Sequence, residues 1–442
     1  MGLSFKTLML FIYIPKITSR HKYIFTLFFC EIYQIKFQLT ENEAEFKEFD
    51  GAKLNYSNNS FEDEIFIESM GLLNQKGISQ QDINVNLESE IPIFFESQSK
   101  ASISFDVFSA SFYLVSRYEE YLPFVKDEHQ RFQAENSLAF KNDFLQKPVI
   151  NIWAKILVEE ISKKYPDLEV VLPAYRYIST IDIDNAFYYL EKGFVRSIAG
   201  FINSILSFDL KSIQQRISVL LSNQKDPYDT FDAQLKLQKE FDLEVIYFIL
   251  LADYGLNDKN ISFTKRKFQL LIKRLADYAQ IGIHPSYGSN TNSKKLPEEI
   301  KRLERITKRE VTKSRQHFLK LTLPETYNQL ADLGITDDYT MGYASAIGFR
   351  ASICSFFTFY NLDTETILPI KIHPFAVMDA TLLYYLKLSP EQSLAQISEL
   401  IHEVKNVNGT FISLWHNDTF SNYKQWEDWE SVYTEMIKMS KS

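Results

Sequence analysis

The chain has 442 residues, too many for one typical core, so two domains are expected. Apolar residues make up 45% and charged residues 24%, an ordinary globular composition, and the net charge of −9 argues against a general nucleic-acid binder. The two cysteines, Cys30 and Cys354, lie far apart among apolar residues and read as buried thiols rather than a disulfide, and there is no cysteine-based zinc motif.

Residues 1–15 are apolar with Lys6 near the front, as in a short signal peptide, but no small-residue cleavage site follows. Residues 11–15 read instead as a first strand, Met9 is an alternative start, and the run is too short to span a bilayer. A cytoplasmic protein is expected. Helical spacing over 17–34, then strand-like runs at 35–39, 53–57, 65–67 and 91–95, describe an α/β unit. Residues 105–121 form an amphipathic helix with a charged, aromatic end, and Pro148 opens another helix to 160. Arg117, Glu119, Glu120 and Arg131 form charged clusters here that read as interdomain ion pairs. A turn-rich junction at 165–175 divides residues 1–170 from 171–442.

From Tyr175 the pattern becomes strand, helix, strand, helix. The apolar run 175–181 leads into Asp182 and Asp184, and a helix-like segment, 186–192, follows. Positions two apart on a strand share a face, so the two carboxylates point into one pocket, where a cation or a shared proton relieves their repulsion. Residues 243–251, 281–287, 314–318, 367–374 and 409–417 are further strands or strand ends, with amphipathic helices at 263–278, 296–312, 324–333 and 390–404 between them. Repeated β/α units with polar residues at their strand ends predict a parallel barrel or sheet.

Of seven histidines, His284, His317 and His416 fall at the C-terminal ends of separate strands, as the acid pair does. In a barrel those ends converge on one mouth. Imidazoles with a carboxylate suit zinc, or cobalt, nickel or manganese, with a position left for water. A second carboxylate takes the water's proton, and a further histidine protonates a leaving group. Tyr254, Tyr287, Tyr339, Tyr343 and Trp415, near these motifs, serve equally as sugar-stacking or core residues; Asp253, Asp338 and Asp379 are placed near the same mouth.

The order of these motifs resembles the polysaccharide deacetylases, the NodB-type carbohydrate esterases. Thr180-Ile181-Asp182-Ile183-Asp184 is similar to that family's acid-pair motif with one residue inserted, and Gly282-Ile283-His284-Pro285-Ser286 to its metal-histidine strand end. Arg315-Gln316-His317-Phe318 resembles its arginine motif, and Leu414-Trp415-His416 its closing motif. A longer ordered likeness, through Ser116-Arg117-Tyr118-Glu119-Glu120-Tyr121, Asp338-Tyr339-Thr340-Met341-Gly342 and Gly348-Phe349-Arg350, is to a Bacteroidetes-type group with an uncharacterised domain ahead of the catalytic one. The resemblance implies a deformed (β/α) barrel preceded by a smaller α/β domain. It implies removal of an acyl group, N-acetyl above all, from an amino sugar or glycan. It implies Asp184, His284 and His317 as metal ligands, Asp182 as base and His416 as acid, with Arg315 and Arg350 orienting Asp182 or holding a substrate oxygen. The inserted Ile183 leaves open an exchange of roles between the two acids. Where the family has a second metal histidine this chain has Gly288, so His317 is expected to replace it, and a catalytically degenerate glycan-binding or assembly protein is the alternative.

Overall fold

The structure, a computed structural model, describes residues 9–61, 63–87, 91–98, 100–222 and 224–442. Most of the apolar run before the first strand, with Lys6, lies outside them. Two sheets form. The first contains β1 (Leu10–Tyr13), β2 (Phe37–Thr40), β3 (Lys53–Ser57) and β4 (Ile65–Glu68), in the order β2-β1-β3-β4 and all parallel. The expected strand at 91–95 is reduced to an isolated bridge between Asn86 and Ile93. Pro92 there has no amide hydrogen to donate to a ladder.

The second sheet contains β5 (Arg176–Ile183), β6 (Glu244–Ile249), β7 (Gln280–Ile283), β8 (Lys313–Ser314), β9 (Asp337–Asp338), β10 (Phe357–Asn361), β11 (Thr366–Ile372), β12 (Val377–Met378) and β13 (Thr410–His416). Its order is β10-β11-β9-β8-β7-β6-β5-β13-β12, and only the β10–β11 pair is antiparallel. Among the described residues its end strands, β10 and β12, do not pair, so the strands form an open, mostly parallel sheet and the expected deformed barrel does not close. β10 had no counterpart in the sequence reading.

Alternation along these strands sets what reaches the site. Ile178 of β5, Ile246 and Phe248 of β6, and Ile412 and Leu414 of β13 point to one face and pack with Leu319, Tyr339, Phe375 and Met378. Tyr177, Ile181 and Ile183, Val245 and Tyr247, and Phe411 and Trp415 point to the other face and join the main core. Asp182 and His416 continue the first series, and they are paired directly across β5 and β13. Gly282 lets the sheet close up around Phe248: a Cβ there would lie 2.5 Å from the Phe248 ring.

The main core is continuous between the two sheets. Buried ion pairs also join them. Arg20 binds Glu365 (3.0 Å through Nε), and Arg350 donates to both oxygens of Glu120 at 2.9 and 2.6 Å, while Arg117 donates to the same carboxylate at 2.8 Å. Cys354 is buried, and burial pushes its thiol up to about 12; Cys30, expected to be buried too, is exposed.

Thr18 caps the helix Ser19–Phe25 in a reciprocal arrangement, its hydroxyl accepting the His21 amide while His21 Nδ1 accepts the Thr18 amide at 3.1 Å. Burial lowers the His21 pKa from 6.5 to about 4. The unfolded chain takes up this proton first as pH falls, so stability present above pH 6.5 is lost towards pH 4, by up to roughly 3 kcal/mol. His21→Gln preserves the cap and removes this part of the acid sensitivity. Denaturant midpoints at pH 7 and pH 5 check it, and an equal loss in both proteins contradicts it.

Candidate metal centre

Three strand ends of the second sheet and the loops that follow them supply the cluster. Asp182 is the next-to-last residue of β5 and Asp184 follows the strand; His284 follows β7, its amide bonded to the Ile249 carbonyl at 3.0 Å; Arg315 follows β8, its amide bonded to the Ile283 carbonyl at 3.1 Å. His317 is fixed two residues on by its amide bond to the Pro285 carbonyl, 3.0 Å. The ligand atoms of Asp184, His284 and His317 lie within 4.8 Å of one another. His284 Nε2 is 3.3 Å from Asp184 Oδ1, and His317 Nε2 is 3.5 Å from Asp184 Oδ2.

The far sides of both rings are held. His284 Nδ1 lies 2.5 Å from the Arg315 carbonyl, which can only accept, so Nδ1 carries a proton and Nε2 is turned toward Asp184. His317 Nδ1 donates to Asp258 at 3.0 Å, and Asp258 is itself fixed by the amides of Tyr287 (2.8 Å) and Gly288 (3.1 Å). Asp184 Oδ1 is buried without a hydrogen-bond partner. One unsatisfied carboxylate oxygen and two imidazole nitrogens oriented from behind are a donor set that fits a zinc-like divalent cation.

The electrostatics agree. Burial would raise the Asp184 carboxyl, but the charge on His317 and the contacts from both rings outweigh it and hold it well below the usual carboxylate range. Burial opposes a charge on His317, yet Asp184 and Asp258 raise its pKa to about 9. A proton and a cation therefore compete for the same Nε2.

Asp182 is 2% exposed at its side chain and sits 3.6 Å from His284 Nε2. Arg315 Nη1 donates to its other oxygen at 3.0 Å, and Arg315 is itself held by the Tyr339 carbonyl (2.9 Å) and the Phe248 ring (4.7 Å). On the opposite side, His416 Nε2 is 3.9 Å from Asp184 Oδ2. Asp379 binds His416 twice, accepting from its backbone amide at 2.7 Å and meeting Nδ1 at 2.8 Å. Burial works against a charge on His416, but Asp379 overcomes it, and the pKa is raised well above the usual histidine value.

The cluster opens into a cleft of about 330 Å³ lined by Arg131, Tyr228, Gln316, Phe318, Tyr384, Tyr385 and Trp426 among others. Arg131 comes from the N-terminal part of the chain and donates to the Phe318 carbonyl at 2.7 Å. Asp418 also faces the cleft, and burial above all pushes its carboxyl up to about 6.

Several expectations need correction. Arg350 does not reach Asp182; its guanidinium is spent on Glu120 and the Gly342 carbonyl, where burial demands a partner for the charge. Residues 186–192 form a turn instead of a helix, because the amides of Tyr188, Tyr189 and Leu190 converge on the Asp226 carboxylate. Tyr254, Tyr287, Tyr339, Tyr343 and Trp415 are absent from the cleft wall. Tyr339 stacks on His373 at 4.4 Å, and Trp415 is buried against Tyr433. Asp253 pairs with Arg302, and Asp338 is buried against Ser314 and Thr340. Asp258 was missed: it lies in a loop with no strand or spacing signal.

The profile of DUF7033, a family of unknown function, matches residues 10–166. No curated protein matches the chain. Among solved structures, a protein from Mycobacterium smegmatis assigned to the polysaccharide deacetylases is similar over 61% of this chain and 85% of its own, at 12% identity and a TM-score of 0.40. A polysaccharide deacetylase from Bacillus cereus is similar over 60% of this chain and 87% of its own, at 11% identity and a TM-score of 0.28. A CE4 family pseudoenzyme from Bacillus anthracis is similar over 61% and 66%, at 11% identity and a TM-score of 0.29. Likeness at this level carries no weight for function, which rests on the atoms of the site.

Two outcomes follow from the geometry. In calorimetric titration with zinc, the chain binds one ion; His284→Ala and His317→Ala each abolish this, and Asp258→Asn weakens it by about 10- to 100-fold. Zinc affinity unchanged in all three variants contradicts the assignment. Arg350→Met leaves zinc affinity intact but lowers unfolding stability by about 3–5 kcal/mol, because Glu120 loses a buried partner.

Proposed function

We propose that this chain is a metal-dependent hydrolase that removes an acyl group, N-acetyl in the reading the residues favour, from an amino sugar or glycan. The observation that carries the proposal is the convergence of Asp184, His284 and His317 between a carboxylate held by Arg315 on one side and an imidazole held by Asp379 on the other. In this reading residues 1–170 are an N-terminal unit that supplies Arg131 to one wall, and residues 171–442 are the catalytic unit, a deformed (β/α) barrel opened at its ends.

Asp184, His284 and His317 hold the cation, which when bound supplies a Lewis acid that polarises an acyl oxygen and acidifies water. Asp182 keeps one oxygen on Arg315 and leaves the other toward the cluster, placed to accept the proton of the attacking water. Arg315 fixes that carboxylate through its ion pair. His416, held protonated by Asp379, gives its proton to the departing amine, the step an amide needs and an ester needs less. Tyr228, Tyr384, Tyr385 and Trp426 surround the cleft with aromatic faces suited to sugar rings.

Zinc-loaded protein is expected to release acetate from at least one member of a panel of N-acetylated amino sugars and their short oligomers. Asp182→Asn lowers that rate by about 10²–10⁴-fold and leaves zinc content unchanged. Glycan binding with no acetate release by the loaded protein selects the binding-protein alternative and rejects the hydrolase.

A further inference from the structure

The connection from β5 to β6 carries two helices, Phe194–Leu206 and Leu210–Leu221, that are built inside out. Among the described side chains their buried positions are Ser204, Ser212 and Val219. Arg216 is turned inward as well, over the Tyr189 ring at 4.7 Å and within 3.4 Å of the Ser197 carbonyl. Most of the other apolar residues face out. Phe194, Ile198, Ile202 and Leu206 recur every fourth residue along the first helix, and all four are exposed. Phe208 in the turn and Leu210, Ile217 and Leu221 on the second helix extend the surface. Phe194, Phe208 and Leu221 are 80%, 87% and 82% exposed, a concentration of apolar side chains that a soluble surface seldom leaves uncovered.

Charge selects what covers it. With the inward-turned Arg216 set aside, Lys192, Arg196 and Lys211 against Asp209 alone give residues 192–222 a net charge of +2, in a chain whose total is −9. A second copy using the same face would set like charge against like. An anionic lipid surface takes both the apolar side chains and the positive charge. The helices have 13 and 12 residues, too short to cross a hydrocarbon core of about 30 Å, so they would lie along its surface.

We infer that the 194–221 hairpin docks in the headgroup–acyl boundary of an anionic membrane and holds the cleft beside it. The hairpin is tied to the cleft rim. The Tyr189 hydroxyl bonds the Ser212 carbonyl at 3.3 Å, and the neighbouring Tyr188 ring packs 4.9 Å from Tyr228, which lines the cleft. The inference stands whether or not the cleft is a deacetylase.

The test is co-sedimentation of the full chain with vesicles of equimolar phosphatidylglycerol and phosphatidylcholine, beside vesicles of phosphatidylcholine alone. Binding to the mixed vesicles only, weakening with salt, is expected. The fourfold variant Phe194→Ser, Leu206→Ser, Phe208→Ser, Leu221→Ser is expected to bind at least about tenfold less, with unchanged circular dichroism and zinc uptake. Lys211→Glu, a single exposed change, is expected to weaken binding by at least about fivefold should the fourfold variant fail to fold. No binding of the native chain to anionic vesicles overturns the inference, as does binding that Lys211→Glu and the fourfold variant both retain. A dimer in light scattering, dissolved by the fourfold variant, assigns the face to self-association instead.

Discussion

The contact between the Asp184 carboxylate and the imidazoles of His284 and His317 is the constraint around which the second sheet is arranged. A carboxylate beside two rings, with a second carboxylate at Asp182, is costly unless every charge is answered. Here each is. Arg315 answers Asp182, Asp258 holds His317, Asp379 holds His416, and the Arg315 carbonyl orients His284. The alternation of acid and base leaves Asp184 Oδ1, 3.3 Å from His284 Nε2, buried without a hydrogen-bond partner. That is where the donor set points, and the open end of a parallel sheet is the part of an α/β fold where such a set can meet a substrate.

Much of this was legible in the sequence because strands have a period of two and β/α units repeat. Asp182, Asp184, His284 and His416 each follow an apolar run that becomes a strand, His317 follows the short polar strand β8, and the structure brings all five together. The replacement of a second histidine by Gly288 was visible as well. What the sequence did not show is why Gly288 matters locally: its amide helps fix Asp258, the residue that orients His317. Asp258 sits in a loop, and loop carboxylates carry no periodic signal.

The failures share that cause. Arg350 occupies a motif-like position, but its partner Glu120 is 230 residues away in sequence and decides its fate by burial. The turn at 186–192 has helical composition, but the distant carboxylate of Asp226 collects its amides. Of the aromatic residues next to the motifs, Tyr339, Tyr343 and Trp415 went to the core and Tyr254 stayed exposed, while Tyr384, Tyr385 and Trp426, remote from the first motifs, came to the cleft. Long-range partners override local pattern where a polar group is buried, because an unpaired one is the larger cost.

The same rule connects the two parts of the chain. Arg117, Glu120 and Arg350 form a buried network between the first sheet's segment and the second, and Arg131 reaches from the first part to the cleft wall. The N-terminal part is thus joined to the second sheet by ion pairs and a continuous apolar core, and to the cleft wall by the Arg131 hydrogen bond. The most direct test of the central claim is anomalous diffraction at the zinc edge from a zinc-loaded crystal. A single peak about 2.0–2.2 Å from Asp184 and from Nε2 of His284 and His317 is the predicted result. A peak elsewhere, with these three side chains bonded only to one another, would contradict it.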